Sequence, residues 1–134
     1  MHPDRRFQSI MLPCHMRYLA LLNSRVGYTE QELKREGRNK NIEYSKSVYS
    51  YIDTAMGQAL QDKDDFVRFL VNKNDRKILG CHIIGNQASI LIHEVLVAMK
   101  CTHNNSIGTI DNIRRTVHIH PAISEVVAKA AYQT

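Results

Sequence analysis

The residues best equipped for chemistry lie close together near the end of the chain: His118, His120 and Glu125, with Pro121 directly after His120. A histidine paired with a carboxylate can move a proton near neutral pH, because imidazole titrates at about 6.5 and a carboxylate on its other nitrogen fixes the tautomer. His120 and Glu125 stand five positions apart, so on a continuous helix their side chains would point well away from each other. Pairing therefore needs a turn. Pro121 suits the first turn of a helix, which puts His120 before that helix and Glu125 within its early turns. The plainer reading makes His120 a cap and Glu125 a favourable charge at a helix N-terminus, and residue types and spacing leave both open.

Other reactive residues form weaker patterns. His118 and His120 alternate as His-x-His, and His93 adjoins Glu94, but His93-Glu94-Val95-Leu96-Val97 is not the His-Glu-x-x-His pattern of zinc enzymes and no paired cysteine ligands occur. No metal site is expected. Cys14, Cys81 and Cys101 are odd in number and widely spaced, which fits reduced thiols in the cytoplasm rather than a disulfide framework. They form no Cys-x-x-x-x-Cys redox pair, and the six glycines form no G-x-G-x-x-G dinucleotide fingerprint. His82 and His93 read as interface or core residues, and Cys81 and Cys101 as small buried or loop thiols.

The elements that must carry these residues follow from periodicity. Phe66–Val71 and Lys77–Ile84 are strand-like runs joined by the turn-rich Asn72–Arg76, which predicts a hairpin. Ile42–Tyr51 favours a further extended segment. Thr29-Glu30-Gln31-Glu32 has capping-box form, with Gly37 placed to stop a two-turn helix. Ala88–Lys100 repeats at helical spacing and is apolar almost all round, so it should be buried under a sheet or in a subunit interface. Cys101–Gly108 reads as a polar loop and Thr109–Val117 as a short helix. A last helix, with Pro121 in its first turn, ends near Ala131. Strands followed by helices predict an α+β fold, an antiparallel sheet covered by helices, rather than a doubly wound parallel sheet.

At 134 residues, with 43% hydrophobic and 23% charged content, the chain is the size of one soluble domain. Its net charge of +5 raises nucleic-acid binding as a reading. The basic stretch Lys34, Arg35, Arg38 and Lys40 also carries Glu32 and Glu36, however, so a solvated helix face is expected and no nucleic-acid partner. The apolar runs fall short of a membrane span of about 20 residues, no membrane association is expected, and Cys14, His15 and Arg17 interrupt any signal-like stretch.

Five pieces in order carry a family likeness: Val26-Gly27-Tyr28-Thr29-Glu30-Gln31-Glu32, Phe66-Val67-Arg68, Ile78-Leu79-Gly80-Cys81-His82-Ile83-Ile84-Gly85, Ala88-Ser89 with Ile92-His93-Glu94, and His120-Pro121-Ala122-Ile123-Ser124-Glu125. Together they resemble the C-terminal dimerisation domain of FAD-dependent pyridine nucleotide-disulfide oxidoreductases, most like that of dihydrolipoamide dehydrogenases. The likeness runs from about Arg25 to Lys129, so residues 25–134 are read as the dimerisation domain and residues 1–24 stay unassigned. Met1–Ser24 lacks the strand that usually precedes the matched region, and Cys101–Thr109 is longer than the family's loop.

The resemblance implies a homodimer in which His120 and Glu125 of one subunit face the redox disulfide and flavin of the other, with the backbone of His120 and Pro121 close to the flavin ring. A dithiol must lose a proton before its thiolate attacks a disulfide, and free thiols titrate at about 8.5. His120 would take that proton and Glu125 would orient the imidazole. FAD and NAD(P) would be bound by other domains of the parent, and this chain alone lacks the parts for catalysis. The alternative is a free-standing dimeric binding or assembly module that keeps the fold without redox chemistry.

Overall fold

In β3 (Phe66–Asn72) and β4 (Ile78–Ile84) side chains alternate between two faces, and the structure, a computed structural model describing residues 23–40, 42–103 and 106–134, buries one of those faces under helices. The strands form the expected hairpin, and β2 (Tyr44–Ser50) and β1 (Asn23–Gly27) flank it in one antiparallel sheet of order β1-β4-β3-β2. Val26, Cys81, Phe69 and Ser47 are cross-strand partners in a single row, and all four are buried. Against this face pack α3 (Ala88–Ala98), over β1 and β4, and α5 (Glu125–Tyr132), over β2 and β3. Ser47 Oγ donates to the Ala130 carbonyl at 2.8 Å, tying sheet to helix inside the core. The α+β architecture is the one its sequence predicts.

Between these elements lie α1 (Glu30–Lys40), a 3-10 turn (Tyr51–Asp53), α2 (Ala55–Leu60), a small hairpin of β5 (Thr102–His103) and β6 (Ser106–Ile107), and α4 (Asp111–Arg114). The capping box is present: Glu32 N–H donates to Thr29 Oγ1 at 3.1 Å, and Thr29 N–H donates back to Glu32 Oε2 at 2.7 Å. Gly37 does not end α1, which continues to Lys40; a glycine inside a helix costs only about 1 kcal/mol, too little to stop it alone.

Several boundaries differ from expectation. Asn23 and Ser24, in the segment left unassigned, belong to β1, which pairs with β4. The helix expected over Thr109–Val117 shortens to Asp111–Arg114. The last helix starts at Glu125, leaving Pro121 in the turn before it. Cys14 lies outside the described residues, and Cys81 is buried while Cys101 is exposed. Among the described residues, no helix is long and apolar enough to cross a membrane.

Asp65 controls the entry into α3. Its Oδ2 accepts from the Asn86 N–H at 3.0 Å, and it leaves no room for a Cβ at Gly85, whose φ is +139°. Tyr51, fully buried, donates its hydroxyl to the Asn86 carbonyl at 3.1 Å, so both sides of the turn are held. Burial, and then the neighbouring Asp62 carboxylate, raise the Asp65 carboxyl to about 6. An aspartate in the unfolded chain titrates near about 3.9, so the folded chain holds this proton more tightly. The stability that Asp65 contributes is therefore complete below about pH 4 and is lost as pH rises through about 6. Asp65→Asn keeps an oxygen for Asn86 and has no charge to bury. It is predicted to raise the urea midpoint at pH 7 and to flatten its pH dependence between pH 4 and 7; an unchanged pH profile would contradict this role.

Candidate acid–base site

The segment from Arg115 to Ser124 leaves α4, passes over the end of the helical layer and enters α5. Its anchors come from four directions. Arg76, on the β3–β4 turn, forks Asp111 at the start of α4 through Nε and Nη2, both at 3.0 Å. Asn112 Nδ2 donates to the Ala98 carbonyl at 2.9 Å and the Cys101 carbonyl at 3.1 Å, closing the C-terminal end of α3 onto α4. Tyr132 donates its hydroxyl to the Arg114 carbonyl at 2.6 Å, with the Arg114 guanidinium over its ring. His118 reaches α3, where Nε2 meets Glu94 Oε1 at 2.6 Å while Nδ1 faces the Thr116 carbonyl at 3.2 Å.

On this frame His120 and Glu125 pair as the turn at Pro121 requires. The His120–Pro121 bond is cis. His120 Nδ1 lies 2.9 Å from Glu125 Oε1, and Glu125 Oε2 accepts from the Ala122 N–H at 3.2 Å. Both carboxylate oxygens are thus used, and the hydrogen bond from His120, followed by that from Ala122, holds the Glu125 carboxyl below the usual range despite some burial. With Nδ1–H donating to the carboxylate, the tautomer leaves Nε2 as the basic nitrogen. The side chain of His120 is 68% exposed and that of Glu125 13%. The geometry is that of a base oriented from behind and open in front: it can accept a proton from a group brought up from outside this chain.

The helix-capping alternative for His120 finds no support, because its ring bonds a side chain rather than the α5 backbone, and α5 has no side-chain cap. The His-x-His pair does not converge, since His118 turns inward to Glu94 and His120 outward to Glu125. Among the described residues no group of three His, Cys, Asp or Glu could hold a metal. The Glu94–His118 pair was not predicted; its members are 24 positions apart, and only the packing of α3 against the α4–α5 segment reveals it. His93 is exposed. The Cys81 thiol is pushed up by complete burial, which makes it a poor nucleophile.

The described residues offer no fit to a dinucleotide. Its sheet is antiparallel, and the glycine turn that opens α3 is faced by the Asp65 carboxylate, the wrong charge for a pyrophosphate at a helix N-terminus. Around His120 the surface is apolar instead: Val117 is 92% exposed and Ile119 78%. Ile90 and Val97, on the outward side of α3, are also largely exposed.

Comparison with known proteins agrees with this fold. The family model for the pyridine nucleotide-disulphide oxidoreductase dimerisation domain matches residues 16–131. The chain is 36% identical over 106 residues to the mitochondrial dihydrolipoyl dehydrogenase of Dictyostelium discoideum, covering 79% of this chain and 20% of that protein. It is 34% identical over 109 residues to the dihydrolipoyl dehydrogenase of Corynebacterium glutamicum, covering 81% of this chain and 22% of that protein. It is 31% identical over 109 residues to the leghemoglobin reductase of Glycine max, covering 81% of this chain and 19% of that protein. The chain thus spans about a fifth of these relatives. The crystal structure of LpdA from Mycobacterium tuberculosis shares the fold, with a TM-score of 0.68 at 17% identity over 84% of this chain and 23% of that one. So does the HOCl-induced flavoprotein disulfide reductase RclA of Escherichia coli, with a TM-score of 0.68 at 17% identity over 83% of this chain and 23% of that one. The chain belongs to the pyridine nucleotide-disulphide oxidoreductase dimerisation-domain family.

Proposed function

We propose that the chain is the dimerisation domain of an FAD-dependent, NAD(P)-linked disulfide oxidoreductase of the dihydrolipoamide dehydrogenase type, and that it lends His120 and Glu125 to the partner subunit's redox disulfide. The observation that carries this reading is the His120 Nδ1–Glu125 Oε1 pair at 2.9 Å, with the opposite edge of the imidazole turned out of the chain. FAD and NAD(P) belong to other parts of the parent, and His120 with Pro121 forms the edge that meets the flavin.

The chemistry asked of the pair is modest and definite. A substrate dithiol gives one proton to His120 Nε2, and the resulting thiolate attacks a sulfur of the partner's disulfide, breaking the S–S bond and forming a mixed disulfide. The released thiolate can take the proton back from the imidazolium. Glu125 keeps the ring in the required tautomer and offsets its positive charge while the proton is held. The carboxylate is itself fixed by Ala122 N–H, so the ring pivots little. The exposed Val117 and Ile119 flank this edge and the exposed Ile90 and Val97 of α3 add further apolar surface for the second subunit, and covering Val117 and Ile119 removes water from the site.

The test is made in the whole enzyme that carries this domain. His120→Gln is expected to slow dithiol oxidation by about 10²- to 10⁴-fold while reduction of an artificial one-electron acceptor stays within a few-fold. Glu125→Gln should lower the same rate less and shift its pH profile. Equal loss of both reactions in His120→Gln would remove the base role and leave the domain with assembly alone.

A further inference from the structure

The sheet face opposite α3 and α5 carries a row of a different kind. Arg25 of β1, His82 of β4 and Arg68 of β3 are successive cross-strand partners, one position along from the buried row of Val26, Cys81 and Phe69. Each of the three is partly buried. Nε of Arg25, Nε of Arg68 and Nε2 of His82 are shut off from solvent with no hydrogen-bond partner among the described residues. Two carboxylates are near: Glu30, on the groove wall, pairs with Lys34 and Lys46, and Glu32 closes the capping box while its charge also acts on Arg25 and His82. Arg68 is otherwise in contact with the face of the Phe66 ring, 5.4 Å from its centroid.

These residues line a groove of about 560 Å³ between the sheet and the start of α1, with Thr29, Phe66 and Ile84 among its other walls. That volume lies in the range of small-molecule sites, which combine an apolar lining with a few convergent polar groups. Strands lie about 4.8 Å apart, so the two arginines, separated by one strand, stand about 10 Å apart at the backbone and can close on one ligand from both sides. A guanidinium forks a carboxylate or phosphate through two parallel N–H bonds. His82 is held toward its neutral form by burial first and by the two arginines next, so the row concentrates positive charge on Arg25 and Arg68. A half-buried donor left without an acceptor is costly, and an anion between the two guanidinia supplies acceptors to the Nε–H groups that have none among the described residues.

We propose that this groove binds a small organic anion carrying at least two carboxylate or phosphate groups, held by Arg25 and Arg68 across His82. The site is on the opposite face of the sheet from the His120–Glu125 edge and does not depend on the reading given to that pair. Its probes are citrate and inorganic pyrophosphate, each titrated into the full chain at low ionic strength and followed through the NMR signals of the His82 imidazole and the arginine Nε–H groups. Saturable one-site binding is expected for at least one probe, weakened at least about tenfold in Arg25→Gln/Arg68→Gln and retained in Lys63→Gln/Lys73→Gln, which removes the same charge from exposed positions. Citrate bound alone identifies a carboxylate ligand, and pyrophosphate bound alone a phosphate ligand. Absence of saturable binding, or equal weakening in both double variants, overturns the site. Circular dichroism of the arginine double variant separates lost binding from lost fold.

Discussion

Everything on this domain hangs from the burial of one sheet face. The row Val26, Cys81, Phe69 and Ser47 is covered by α3 and α5 together, and each large apolar side chain sealed there contributes about 1.5–3 kcal/mol. Those two helices also supply the carboxylates that organise the α4–α5 segment, Glu94 from α3 and Glu125 at the start of α5. The core therefore sets the distance between two fixed carboxylates, and two histidines of one short segment are stretched between them. A shift of either helix on the sheet would move one carboxylate relative to the other and spoil the pair at His120.

The same arrangement explains why the edge is incomplete by itself. His120 is oriented from behind by a carboxylate with both oxygens occupied, and among the described residues its side chain is 68% exposed. Val117 and Ile119 are exposed on either side of an inward-turned His118, an alternation of apolar-out and polar-in that would waste apolar surface on a free domain. In the proposed assembly, a second surface laid on this edge would bury that apolar area and bring the reacting groups to Nε2. On that proposal, assembly and chemistry would share one set of contacts.

Much of this was legible in the sequence. The β3–β4 hairpin showed because alternation and a turn-rich connector agree locally, and α3 showed because its period is strong. On residue types and spacing the His120–Glu125 pair was open, with Pro121 able to supply the turn, and the family resemblance is what favoured it. What escaped has a physical reason in each case. β1 is five residues long and takes its order from pairing with β4. α2 is a six-residue helix whose helicity rests on the Thr54 cap and on Gly57, where no Cβ fits against Tyr51. The Glu94–His118 pair and the Arg25–His82–Arg68 row join residues distant in sequence, and only strand register and helix packing bring them together.

The most direct test of the account is the mass of the chain in solution, measured by sedimentation equilibrium at micromolar concentration for the native sequence and for Ile90→Asp/Val97→Asp. The account predicts a native dimer, about twice 15.4 kDa, and a folded monomer for the variant, because two carboxylates on the outward side of α3 cannot be buried in a shared interface. A native chain that stays monomeric, or a dimer indifferent to both substitutions, would contradict the claim that two copies meet across the outward side of α3.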